Sequence, residues 1–247
     1  VRLREAEIVS REDLGSHRLL RCRWRGEEPS PGQFLMVRPG GSTLSYDPFL
    51  SRPFFVHDFE GDVVSLLFEV RGRGTELLAR EEGGLLLGGP LGRGYPLPEA
   101  GPVALVGGGV WVSPLGFLAR RLEELGVEHE VFLEVPAGAP EAYVEGLRGL
   151  FPWAELVPTG PDGPPGALLG AIGDLSRYRA LYASGPAATL RAVAGAGVPA
   201  YLAVRERMAC GTGACRGCAV PVRRPGGLSY ARACAEGPVF AAEEIAW

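Results

Sequence analysis

The sequence predicts an α+β multidomain chain: an antiparallel β-barrel in residues 1–98, a doubly wound parallel α/β domain in 99–204, and a small cysteine-bearing module in 205–247. Three observations carry this. Short apolar runs separated by Gly, Pro, Asp and Ser clusters occupy residues 1–90, the spacing of a small all-β unit. Past the Pro- and Gly-rich stretch Tyr95–Pro102, apolar β runs alternate with amphipathic helices, which implies a parallel sheet covered on both faces. The last stretch is short, Gly-rich and holds four of the five cysteines, too small to support a core alone.

In the barrel half, strands are expected at Leu3–Val9, His17–Trp24, Gln33–Arg38, Phe54–His57 and Val63–Val70, with helical periodicity over Thr75–Glu82. In the second half the expected order is strand Val103–Val106, helix Pro114–Leu125, strand Glu130–Val135 and helix Pro140–Leu150. Strand Ala180–Ala183, helix Ala187–Ala194 and strand Ala200–Val204 follow, with Pro158–Gly166 as a loop.

Cys210, Cys215, Cys218 and Cys234 are spaced C-x4-C-x2-C-x15-C, and the first three follow a plant-type 2Fe–2S pattern. Gly211, Gly213 and Gly217 permit positive φ in the loop and let amides approach the sulfurs. Structural zinc and disulfides are the alternatives; zinc usually takes its cysteines as two short-spaced pairs, whereas three crowd one loop here. Cys22 lies in an alternating run and reads as an inert strand residue.

Gly107, Gly108 and Gly109 follow a buried strand and precede a helix, where amides can receive a phosphate. The pattern is not G-x-G-x-x-G, and a tight strand–helix turn explains it equally well. Ser184, Gly185 and Pro186 repeat the logic at the same carboxyl edge. Arg52, Pro53 and Phe54, with Gly72, Gly74 and Thr75, read either as a diphosphate clamp or as a solvated arginine and a helix N-capped by Thr75. His17, His57 and His129 are scattered, and no nucleophile constellation is visible, so no catalytic residue is assigned. The net charge of -4 argues against a nucleic-acid partner, and no apolar run reaches a membrane-spanning length. Without an export signal, the thiols fit a cytoplasmic location.

Taken in order, these elements resemble the ferredoxin reductase-like flavoproteins. They are most similar to the family of electron-transfer subunits of NAD-linked (type B) dihydroorotate dehydrogenase. The most specific part is Glu206-Arg-Met-Ala-Cys210 with the Cys215 and Cys218 spacing, followed by Cys234-Ala-Glu-Gly-Pro-Val-Phe240. The resemblance implies a flavin barrel, a nicotinamide-nucleotide domain and a C-terminal 2Fe–2S module. It assigns FAD to Arg52, Pro53 and Phe54, and its diphosphate to Gly72, Gly74 and Thr75. It places NAD at the turn of Gly107, Gly108 and Gly109, beside which Ser184, Gly185 and Pro186 are read from their own pattern as nucleotide-binding, and it assigns the cluster to Cys210, Cys215, Cys218 and Cys234. Gly88–Gly92 matches the family's Gly-Pro-Leu-Gly turn closing the barrel. The implied partner is an FMN-containing dihydroorotate dehydrogenase catalytic subunit in a heterotetramer.

Two positions depart from the family. Phe55 stands where it usually has Ser or Thr, and Trp111 replaces a glycine of its Gly-Gly-Gly-Ile-Gly turn. An indole there either turns away from the pyrophosphate or occludes it; the expectation is retained but weakened NAD binding. The alternative functions are a related flavin and iron–sulfur reductase for a hydrogenase or oxygenase, and a non-redox, zinc-holding nucleotide-binding module.

Overall fold

The computed structural model describes residues 2–40, 49–159 and 167–247. The first half forms two four-stranded antiparallel sheets. Its strands are β1 (Arg4–Ala6), β2 (Ile8–Leu14), β3 (His17–Arg23), β4 (Phe34–Pro39), β5 (Arg52–Phe55), β6 (Asp58–Glu60), β7 (Val63–Glu69) and β8 (Leu85–Leu91), with helix α1 (Arg73–Arg80) between β7 and β8. One sheet runs β1-β8-β4-β5 and the other β2-β3-β7-β6. Leu20, Leu35, Val64, Leu66, Phe68 and Leu85 fill the space between them. Cys22 lies in this core, and burial pushes its thiol up to about 12, so it packs as a neutral hydrophobe.

Two expectations change here. The run Leu3–Val9 is not one strand: it breaks at Glu7, so that β1 pairs with β8 in one sheet and β2 with β3 in the other. Gly88–Leu91 is not a turn but the end of β8. Gly89 permits this, since a Cβ there would stand 2.7 Å from the Leu35 side chain on neighbouring β4. The turn comes only at Gly92, with φ 74°.

The second half contains β9 (Val103–Gly108), α2 (Ser113–Glu124), β10 (His129–Pro136), α3 (Glu141–Leu150), β11 (Glu155–Thr159), α4 (Ala167–Ile172), β12 (Leu181–Ser184), α5 (Ala187–Ala194) and β13 (Ala200–Ala203). The sheet order β11-β10-β9-β12-β13 is parallel throughout and reverses direction between β9 and β12. Every residue of β9 is buried, as a central strand covered on both faces requires. Strand β11 and helix α4 are additions to the expected list. Of the loop expected at Pro158–Gly166, residues 160–166 lie outside the described residues, while Pro158 and Thr159 end β11.

Beyond β13 the chain forms a hairpin of β14 (Ala219–Arg224) and β15 (Gly227–Arg232), one turn of helix α6 (Ala233–Glu236) and β16 (Val239–Ala241). Strand β16 adds antiparallel to the edge of the parallel sheet, against β13. Val220, Val222, Phe240 and Ile245 share one apolar cluster with Val106, Leu181 and Leu202. The segment therefore obtains its core from the sheet rather than from its own few residues. Among the described residues no helix is long and apolar enough to cross a membrane.

Candidate functional site

The cysteine loop is organised by backbone amides. The amides of Thr212 and Cys215 each lie 3.4 Å from Cys210 Sγ, that of Gly213 lies 3.0 Å from Cys234 Sγ, and those of Gly217 and Cys234 lie 3.5 Å from Cys215 Sγ and Cys218 Sγ. All four sulfurs thus receive an N–H, which favours sulfur carrying negative charge. The Cys215 and Thr212 amides bring the Cys210 thiol down to about 5. Burial pushes Cys234 up to about 12, helped by its hydrogen bond with the Cys218 side chain. All five cysteines are free thiols, which removes the disulfide alternative. Among the described residues, no three His, Cys, Asp or Glu side chains are grouped to hold one metal ion. The contacts pair Cys210 with Cys215 and Cys218 with Cys234, a grouping that fits a two-iron cluster better than one tetrahedral zinc.

This loop lies against the first sheet. A Cβ on Gly211, whose φ is 69°, would stand 2.8 Å from Met36 Cγ on β4, so glycine is required for the close approach. Phe34, two residues earlier on β4, lines a mostly apolar cavity together with Pro53, Phe54 and Phe55 of β5 and Met208 just ahead of Cys210. Residues two apart on a strand share a face and lie about 7 Å from each other. The cysteine loop and the cavity are therefore immediate neighbours.

Arg52 and Gly74, grouped in the sequence as parts of one possible clamp, are in direct contact in the structure. The Arg52 guanidinium lies over the Gly74 backbone so closely that a Cβ there would collide with Nε and Cζ. Arg52 also donates to the Leu50 carbonyl at 2.8 Å. Helix α1 is not capped by Thr75: the N-cap is Gly72, and Thr75 sits three residues on. From there its Oγ1 accepts from the amides of Arg71 (2.9 Å) and Gly72 (3.2 Å) and donates to the Gly72 carbonyl, fixing the turn that faces the cavity. Phe55, noted in the sequence as a departure from the Ser or Thr of the family it resembles, lines the cavity. Ser113 of α2 brings a hydroxyl to the same wall, donating at 3.3 Å to the Phe55 carbonyl.

Gly107 and Ser184 are brought side by side, paired across β9 and β12 at the point where the sheet order reverses. Packing accounts for two of the glycines. A Cβ on Gly107 would stand 3.0 Å from the Ser184 carbonyl, and one on Gly108 would stand 2.7 Å from Glu134 Cβ. Gly109, φ 58°, opens a 3-10 turn to Val112, and α2 follows from Ser113, one residue ahead of the expected start at Pro114. The start of α2 packs on the β5–β6 connection: buried His57 donates from Nδ1 to the Ser113 carbonyl at 3.0 Å, and burial pushes its pKa down. Arg120 on the same helix binds Asp58 at 2.6 Å, locking α2 to β6. A second cavity opens beyond β12, lined by Gly185, Ala187 and Leu190 from the start of α5 and by Trp247.

Trp111, Val204, Arg205 and Glu206 line both cavities, and Arg205 stacks on the half-buried indole at 4.7 Å. Neither Arg205 nor Glu206 was legible as a site residue. Their position depends on the exit of β13 meeting a turn 94 residues earlier in the chain.

Residues 205–246 match the model for the iron–sulfur cluster binding domain of dihydroorotate dehydrogenase B. The "dihydroorotate dehydrogenase B (NAD(+)), electron transfer subunit" of Caldanaerobacter subterraneus subsp. tengcongensis is 38% identical over 235 residues, covering 90% of this chain and 89% of that one. The subunit of the same name from Desulforamulus reducens is 36% identical, covering 88% and 87%. Among solved structures, an NADH-dependent reduced ferredoxin–NADP oxidoreductase superposes with a TM-score of 0.77 over 98% of this chain and 90% of that chain, at 24% identity. The ferredoxin reductase of carbazole 1,9a-dioxygenase has a TM-score of 0.62 at 20% identity, covering 80% and 64%. At these identities the two solved structures show a shared fold.

Proposed function

The chain belongs to the family of electron transfer subunits of NAD-linked dihydroorotate dehydrogenase B, and from that premise we propose that it is the conduit between an FMN-bearing catalytic subunit and NAD. In this reading residues 1–98 are a flavin barrel, 99–204 the nicotinamide-nucleotide domain and 205–247 the cluster module, assembled with the partner as a heterotetramer. When bound, the 2Fe–2S cluster supplies one-electron transfer, and FAD joins one-electron to two-electron steps before hydride passes to NAD.

The chain's own residues position these groups. Cys210, Cys215, Cys218 and Cys234 would hold the cluster, their sulfurs already facing amide donors. Pro53 and Phe54 would wall the flavin ring, while Arg52, braced on Gly74, and the turn Gly72–Thr75 would hold its diphosphate. Gly107–Gly109 and Ser184–Pro186 would border the nucleotide where the sheet order reverses. The absence of an assigned base for dihydroorotate agrees with carbon chemistry in the partner.

One observation carries the reading: Gly211 of the cysteine loop packs on Met36 while Phe34, on the same strand, lines the apolar cavity beside Pro53 and Phe54. Cluster and flavin would then be separated by little more than one strand. Anaerobic coexpression with an FMN-binding dihydroorotate dehydrogenase chain tests it. The complex should copurify with FAD, about two irons and two acid-labile sulfides in this chain, and should reduce NAD when given dihydroorotate. A colourless, zinc-containing preparation would sink the reading.

A further inference from the structure

The two cavities meet at a wall made of Trp111, Val204, Arg205 and Glu206. A nicotinamide held on the β12 side has to pass this wall to meet a flavin on the β5 side. A dinucleotide also brings a pyrophosphate, which needs positive charge or free amides. The start of α2 offers it little, because Ser113 and Pro114 are buried, the Ser113 hydroxyl is engaged with Phe55, and Pro114 has no N–H. Gly107 and Gly108 face Leu115, Ser184 and Glu134 at packing distance.

Arg205 is the cation at the junction. It is exposed, its Cζ lies 4.7 Å from the centroid of the Trp111 ring, and among the described residues it has no ion-pair partner. With its Cζ over the ring, the guanidinium is held through its charge, and among the described residues its N–H groups have no hydrogen-bond partner, so they stay available for a bidentate anion. A cation held over a half-buried indole has also lost part of the side-chain freedom that binding would otherwise cost.

We propose that Arg205, braced on Trp111, binds the pyrophosphate of the incoming nicotinamide dinucleotide. The indole is then a platform for that cation and not a plug in the site, so the departure from glycine at position 111 is compensated by Arg205. This inference rests on the NAD-linked reading given above.

The test uses the complex with the catalytic subunit, loaded with FAD and cluster, and ADP-ribose as a probe that carries the pyrophosphate but no nicotinamide. Calorimetric titration should show Arg205→Ala weakening ADP-ribose binding about ten- to a hundredfold, the usual range for one lost charge-assisted contact. Arg205→Lys should fall between, and Trp111→Phe should stay near wild type because an aromatic face remains. Trp111→Gly should also weaken binding, since it removes the brace. Unchanged flavin and cluster absorbance certifies that each variant is folded. Equal affinity of wild type and Arg205→Ala overturns the proposal, as does tighter binding by Trp111→Gly, which is the plug's signature, or no binding of ADP-ribose by wild type. Flavin bleaching by NADH is read separately: its failure alongside an Arg205-dependent ADP-ribose site would refute the choice of acceptor and leave the phosphate site standing.

Discussion

A methyl group at Gly74 should release FAD without unfolding the protein. The Cβ of Gly74→Ala would fall among Nε, Cζ and NH2 of Arg52, so the guanidinium has to leave. The atoms in the way belong to the long, flexible end of a side chain and not to backbone, so the displacement costs the fold little. Alanine is also the better helix former, by up to about 1 kcal/mol. The cofactor pays instead: one charge-assisted contact to a diphosphate is worth about 1.5–3 kcal/mol, or roughly a ten- to 150-fold loss of affinity. Reconstituting flavin-free protein with FAD and following flavin fluorescence gives the constants, and chemical denaturation gives the stability. The coupling is the sharper readout, because Gly74→Ala should add nothing in an Arg52→Ala background. Wild-type FAD affinity in Gly74→Ala, or a full additional loss in the double variant, would refute the reasoning.

Cys215→Ser should bleach the iron–sulfur absorbance and yet leave residues 205–247 folded, because β16 is paired with β13. In contrast, Phe240→Ala should cost about 3–5 kcal/mol by chemical denaturation, since that ring is 2% exposed in the core shared with the sheet. Stability should also depend on acid. Burial lowers the folded-state pKa of His57, and of His17, below the ordinary histidine value of about 6.5. The unfolded chain then binds protons first as pH falls, so stability is complete above about 6.5 and declines below it until the folded histidines titrate. Denaturant midpoints across that range should show this slope, and His57→Gln should reduce it.

The alternation of apolar strands and helices made the parallel sheet legible, and the cysteine spacing with its glycines identified the loop that the structure lines with amides. Elements escaped where local signals pointed elsewhere. Gly88-Gly89-Pro90 reads as a turn, yet Gly89 serves to carry β8 past Leu35. Val239–Ala241 is only three residues long and reads as tail, but its partner β13 makes it a strand. Thr75 looks like an N-cap and acts from three residues inside the helix. The direct contact of Arg52 with Gly74, which the sequence had only grouped in one clamp, and the Trp111–Arg205 pair were out of reach for a different reason. Each joins residues far apart in the chain, and nothing in local pattern or propensity encodes which distant side chains will touch.

The central claim is that electrons cross this chain through the cysteine-bound cluster, and one comparison addresses it directly. The anaerobic complex with the catalytic subunit should be mixed with dihydroorotate and NAD, in wild type and in Cys210→Ser that retains FAD and partner. Wild type should form NADH. The variant should form little or none, while its catalytic subunit still oxidises dihydroorotate with a dye as acceptor. NADH formation at the wild-type rate in a variant shown to lack iron would contradict the account.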